Sequence, residues 1–248
     1  MTEKTEKTKS ASKKPEVRST GFSWELVERV LACVALTRIY LWGPPGVGKT
    51  FAAYHHGRLE RGLYACTLVP ELSAAELRGT YLPKGDTILW HDGPVIRAMR
   101  EGARLVLNEL SHAGEDVLAF LYPILEHDST CRLTLPTGET VTPAPGFHVI
   151  VTDNLPSDDL PAALRDRFDA QLEIREPHPE ALALLSEPMR EVARRGVGLD
   201  EDRRLSVRAL LAIERAKLVL GLRDACLVVL GAARGALFYD AALLAGVR

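Results

Sequence analysis

The stretch Leu41-Trp42-Gly43-Pro44-Pro45-Gly46-Val47-Gly48-Lys49-Thr50 constrains this chain more than any other. It fits G-x-x-x-x-G-K-[ST], a glycine-rich bend closed by a lysine and a hydroxyl. The run before it, Thr37 to Trp42, is rich in β-formers and predicts a buried strand, and Lys49 to Arg58 predicts a helix. A strand that turns through glycines into a helix leaves backbone amides free at the helix start, where an anion can sit. Lys49 would reach the β- and γ-phosphates and the Thr50 hydroxyl would hold Mg²⁺. Gly43, Pro44, Pro45, Gly46, Val47, Gly48, Lys49 and Thr50 together form the candidate site for a nucleoside triphosphate.

Around this bend the chain alternates strands and helices. Apolar residues at helical spacing predict a helix within Phe22 to Leu36, with Ser23 as its N-cap. Leu63 to Val69 predicts a second strand, and Ser73 followed by Glu76 has the form of a capping box. Lys84-Gly85-Asp86 lies between two short β-prone runs and predicts a small hairpin. Its Tyr81 and Trp90 could face a partner or fold against the body.

Arg104 to Glu109 predicts a third strand that ends in two polar residues. Ligands of open α/β sheets lie beyond the carboxyl ends of the strands. Asn108 would stand near the metal there and Glu109 near an attacking water. A second hairpin is expected around Pro136-Thr137-Gly138. The strand His148 to Thr152 follows and ends at Asp153-Asn154, which could orient water or simply begin a turn. After a fifth strand, Ala170 to Ile174, the pattern turns helical, with three helices expected near 179–195, 206–220 and 223–244. The expected organisation is a tail over residues 1–20, an α/β nucleotide-binding core over 21–176, and a small helical lid over 177–248. The first twenty residues are polar and almost free of large apolar side chains, a composition that favours a flexible tail.

Composition excludes several classes. A net charge of −2 over 248 residues gives no electrostatic reason for nucleic acid as the main partner. No stretch is long and apolar enough to span a bilayer, and no signal-peptide core is present, so a cytoplasmic protein is expected. Cys33, Cys66, Cys131 and Cys226 form no C-x-x-C pair and predict buried thiols rather than a metal site. The guanine-reading N-K-x-D motif is missing, which disfavours a GTPase.

Five features stand in order: the phosphate loop, Leu105-Val106-Leu107-Asn108-Glu109, Val151-Thr152-Asp153-Asn154, Asp166-Arg167-Phe168 and Leu205-Ser206-Val207-Arg208. This resembles the AAA+ ATPases, and within them the MoxR and dynein-related branch, including activators of the CbbQ/NorQ type. Trp90-His91-Asp92-Gly93-Pro94-Val95 followed by Glu101-Gly102 is similar to the same branch. The resemblance implies a P-loop parallel-sheet core with a small all-helical C-terminal lid, and ATP and Mg²⁺ as ligands. It implies that Lys49 and Thr50 bind phosphate and metal, that Glu109 polarises water, and that Asn154 is the first sensor. Arg167, or less readily Arg165, would be the arginine finger, and Arg208 the second sensor. Either finger could instead be a solvated surface arginine. An arginine supplied in trans adds ~10³–10⁵ in rate, so a homo-oligomeric ring, commonly a hexamer, is implied. Its role would be that of a chaperone acting on a client, such as a von Willebrand factor A-domain protein or a metalloenzyme. One departure stands out: the family's usual Asp is Asn108 here, which keeps an oxygen but loses a charge that helps hold Mg²⁺. A ring subunit that binds ATP but hardly hydrolyses it is therefore the alternative.

Overall fold

The computed structural model describes residues 21–198, 204–244 and 246–247; the expected tail lies outside them. The chain opens with α1 (Trp24–Ala32), β1 (Arg38–Trp42), α2 (Lys49–His55) and β2 (Leu63–Thr67). Next come α3 (Ala74–Arg78), the hairpin strands β3 (Gly79–Lys84) and β4 (Thr87–Asp92), and α4 (Pro94–Glu101). Then follow β5 (Arg104–Asn108), α5 (Glu115–Leu125), the short pair β6 (Leu133–Thr134) and β7 (Thr140–Val141), and β8 (His148–Asp153). The core closes with α6 (Ala162–Arg165) and β9 (Ala170–Glu173).

Five of these strands form one parallel sheet in the order β2-β5-β8-β1-β9. All residues of β5 and β8 are buried, and so are the first four of β1. Their near-continuous apolar runs are what a strand covered on both faces requires. One face packs against α3, α4 and α5 through Leu77, Ile96, Met99, Leu121 and Ile124. The other packs against α1 and α2 through Val27, Leu31, Ala52 and Ala53. Register brings the strand ends level, with Trp42 beside Asp153 and Asn108 beside Thr152. Residues from three strands therefore meet at one edge.

The expected caps are formed. Ser23 Oγ accepts from the Leu26 amide and Ser73 Oγ from the Glu76 amide, each at 3.4 Å. Both hairpins are present, and Tyr81 lies edge-on to Trp90 with centroids 5.2 Å apart. Trp90 packs against the core and its Nε1 donates to Asp92, while Tyr81 stays exposed.

The C-terminal part is helical but more finely divided than expected. It comprises α7 (Pro179–Ala183), α8 (Glu187–Arg195), α9 (Val207–Leu220), α10 (Leu222–Leu230) and α11 (Ala232–Leu244). A helix running on from α7 would need an amide at residue 188 to bond the Leu184 carbonyl, and Pro188, in the first turn of α8, has none. Gly231, at φ +81°, breaks the expected last helix into α10 and α11. These helices share their own apolar cluster, with Leu185, Met189, Leu210, Ile213 and Cys226 at its centre. All four cysteines are free. No helix among the described residues is long and apolar enough to cross a membrane.

Candidate nucleotide site

The bend between β1 and α2 is shaped by its glycines and by what lies behind it. Gly46 (φ +75°) and Gly48 (φ +109°) occupy backbone conformations that side chains resist. A Cβ at Gly46 would come within 2.6 Å of Ser206 Cβ, and one at Gly48 within 2.7 Å of His178 Cβ. Glycine is thus required twice over, by conformation and by space. Ser206 is the N-cap of α9, so the C-terminal helices rest directly on the bend. The His178 amide fixes it further by donating to Val47 O at 2.8 Å.

Lys49 begins α2 and is nearly buried. Its ammonium donates to the carbonyls of Gly43 (2.7 Å) and Pro44 (2.9 Å) and to Asn154 Oδ1 (3.0 Å). The Asn154 amide also donates to Glu109 Oε2 at 3.4 Å. One side chain thereby links the lysine of the bend to the carboxylate at the end of β5. Glu109 has φ +60°, the only positive value at a non-glycine among the described residues. Such a conformation costs about 1–2 kcal/mol and persists only where its surroundings enforce it. Here the Glu109 amide donates to Thr152 O at 2.8 Å. Two residues on, Ser111 donates its amide and hydroxyl to Asp153, at 2.6 and 2.9 Å.

Asn108 is buried and both ends of its amide are engaged. Its oxygen accepts from the Thr152 hydroxyl at 2.7 Å, and its nitrogen donates to Tyr54 at 3.1 Å. Thr152 Oγ1 lies 3.5 Å from Thr50 Oγ1, completing a line of neutral groups from the bend to β5. The oxygen of Asn108 keeps a second lone pair for a metal-bound water. Taken together the donor set fits a polyphosphate and a hard cation. It offers first-turn amides that lack helical partners, a cradle a Cβ would fill, an ammonium, and the oxygens of Thr50, Asn108 and Glu109.

Several contributors escaped the sequence reading. Thr152 and Tyr54 hold Asn108; Asp153, which the sequence offered as the start of a turn, does turn the chain by accepting from the amides of Asn154 (2.7 Å) and Leu155 (3.1 Å). Tyr40 donates its hydroxyl to Leu155 O at 2.7 Å; burial, then the charge of Asp153, raises its pKa, so it stays protonated. The strand end Thr152-Asp153 was the available signal. Tyr40 and Tyr54 offered none beyond fitting a strand and a helix.

The three arginines stand apart from this cluster. Arg167 is turned onto its own chain: it pairs with Glu126 at 2.7 Å, lies over the Tyr122 ring at 4.8 Å and donates to Ala163 O. Arg165 is more exposed and reaches Asp158 only at 3.4 Å. Arg208, exposed on the first turn of α9, makes no hydrogen bond or ion pair among the described residues.

Behind the bend, Glu28, His56 and His178 bring candidate metal-ligating atoms within 4.8 Å of one another. His178 Nδ1 accepts from the Glu180 amide at 3.2 Å, and burial lowers its pKa. The neutral ring therefore carries its proton on Nε2, toward Glu28 at 3.8 Å, where a metal would need a lone pair.

A phosphate-loop strand–bend–helix beside the central strand of a five-stranded parallel sheet, followed by a helical part, is the P-loop fold of the AAA+ class. Residues 38–168, more than half of the chain, match the AAA domain of the dynein-related subfamily. The chain is 38% identical to protein NorQ of Paracoccus denitrificans over 178 residues, which is 68% of this chain and 61% of that one. It is 36% identical to the denitrification regulatory protein NirQ of Pseudomonas aeruginosa, over 56% of this chain and 53% of that one. Protein CbbQ of Hydrogenophilus thermoluteolus is 31% identical, over 56% and 54%. The chain thus spans roughly half to three-fifths of the length of these curated relatives. It belongs to the dynein-related, MoxR-type branch of the AAA+ ATPases.

Proposed function

We propose that this protein binds ATP with Mg²⁺ at the bend and hydrolyses it. We further propose that it works as one subunit of a homo-oligomeric ring, a hexamer, that remodels or activates a partner protein in the cytoplasm. The observation that carries the reading is Asn154, which bonds Lys49 and Glu109 at once. Phosphoryl transfer needs a cation on the phosphates and a carboxylate on the water at a fixed spacing, and this amide sets that spacing.

Lys49 and the amides of the first turn of α2 would hold the phosphates. Glu109 would take the proton of the attacking water and Asn154 would orient it. Thr50 would hold Mg²⁺ directly and Asn108 partly through water, and the ion would supply positive charge against the phosphates. Arg167 would reach a neighbouring subunit's nucleotide once it lets go of Glu126 and Tyr122, and Arg165 is the alternative finger. Residues 177–248 would act as the lid, with Arg208 facing the nucleotide. The hairpin of Tyr81 and Ile88, both exposed, would line the ring opening and meet the client, with the β6–β7 hairpin beside it. A von Willebrand factor A-domain protein or a metalloenzyme is the class of client the family resemblance favours.

A second reading is favoured by Asn108, whose neutral amide stands where a carboxylate would help hold the metal. The chain would then be an ATP-binding regulatory subunit with little turnover. Phosphate release measured against protein concentration separates the two. An active ring gives a rate per subunit that rises with concentration and falls to background in Lys49→Ala. Tight nucleotide binding with background release at every concentration supports the regulatory subunit.

A further inference from the structure

At the amino-terminal edge of the sheet, remote from the phosphate loop, Arg104 is fully buried yet bonded only to neutral acceptors. Nε donates to His148 Nε2 at 2.9 Å, and Nη1 donates to the carbonyls of Ala53 (2.8 Å) and His56 (2.7 Å). His148 can accept because its Nδ1 proton goes to Gly146 O at 2.8 Å. Burial pushes the pKa of this ring down to about 4, so it supplies no charge. The remaining nitrogen of Arg104, Nη2, is buried without a hydrogen-bond partner, and so is Nε of Arg58.

Both arginines line a cavity of about 90 Å³ that Arg61 also lines. Burial, and then the neighbouring charge of Arg58, push the pKa of Arg104 down to about 10. The one carboxylate lining the cavity, Glu60, is exposed and forms no ion pair with these arginines among the described residues. Three guanidiniums therefore face one carboxylate, whose charge acts on Arg58 and Arg104 without pairing with either. A buried cation without a counter-charge is strongly unfavourable, and guanidiniums match oxyanions through paired N–H donors. The volume is several times the ~15 Å³ one water needs. It is far below the ~300 Å³ of a small organic ligand's pocket.

We propose that this cavity binds a small tetrahedral oxyanion, inorganic phosphate or sulfate, between Arg58, Arg61 and Arg104. The same Arg104 closes the last turn of α2 through Ala53 and His56, so the anion would anchor the far end of the helix that Lys49 begins. The site is separate from the phosphate loop and does not depend on hydrolysis.

The test uses the full chain carrying Lys49→Ala, which weakens the competing loop. Crystals soaked in sodium selenate should show an anomalous selenium peak within hydrogen-bond reach of Arg104 Nη2. Melting temperature should rise by about 3–5 °C per tenfold increase in sodium phosphate above Kd, relative to sodium chloride at equal ionic strength. Adding Arg58→Gln and Arg61→Gln should abolish that rise while Arg104 continues to cap α2. A selenium peak confined to the phosphate loop, a response no greater than that to chloride, or an unchanged rise in the arginine variant would each overturn the proposal.

Discussion

Arg38 and Arg104 each open a buried strand of the same sheet, and both are almost completely shielded from water. Their charges are met in different ways. Arg38 donates to Asp128 at 2.9 Å, to the carbonyls of Ile124 and Thr37 at 3.1 Å, and lies 5.0 Å from the centre of the Phe147 ring. Arg104 has carbonyls and an imidazole nitrogen, and a cavity where the carboxylate would be. The first cation is paired with a carboxylate of its own chain. Lys49, at the opposite end of α2, donates to carbonyl and amide oxygens, and the proposed phosphate site lies beside it. The comparison sets a cation paired with a carboxylate of its own chain against one that faces a cavity.

The largest test of this contrast lies at the carboxyl ends of the strands, where the cation's neighbours would perform the proposed chemistry. Glu109→Gln should lower ATP turnover by about 10²–10⁴-fold while nucleotide binding, read by a fluorescent analogue, is kept. Turnover within tenfold of the parent would remove Glu109 from the reaction. At the other end, His148 titrates near pH 4 when folded and near 6.5 when unfolded. Above pH 6.5 the ring is neutral in both states. As the pH falls toward 4 the unfolded chain gains a proton that the folded chain refuses. Stability should therefore drop by about 3 kcal/mol across that window, in excess of other groups. Urea melts of His148→Gln should lack this component.

A smaller effect is expected on making Arg38 resemble Arg104. Asp128→Asn should cost about 1–2 kcal/mol in chemical denaturation, because the lost partner is itself partly exposed. An unchanged midpoint would mean that carbonyls alone satisfy a guanidinium here. Smallest should be Asn108→Asp. The Tyr54 hydroxyl can rotate to donate, so the fold should tolerate the charge. Half-saturating Mg²⁺ for ATP turnover should fall by several-fold, and no change would show that Asn108 lies outside the metal's reach.

The carboxyl end of the sheet was largely legible in the sequence because local pattern encodes it. Glycines, lysine and hydroxyl at fixed spacing gave the bend, and polar residues closing apolar runs gave Glu109 and Asn154. The amino end was not legible. Arg104 and His148 each read as the polar first residue of a strand, and only the sheet order places them side by side under α2. Arg167 shows the complementary limit, since its motif fixes a position in the chain but not the direction in which the guanidinium points. The helical division of the last third turned on Pro188 and Gly231, single residues within otherwise helix-forming stretches.

The seat of Ser206 against Gly46, and of His178 against Gly48, has a consequence for how such a machine is loaded. Residues separated by more than a hundred positions share one surface there, without the clearance of even a methyl group. Any displacement of the bend, such as a phosphate settling there would cause, would press at once on His178 and Ser206 and the helices they begin. Under the proposed function, filling the bend and shifting the helices would be parts of the same movement.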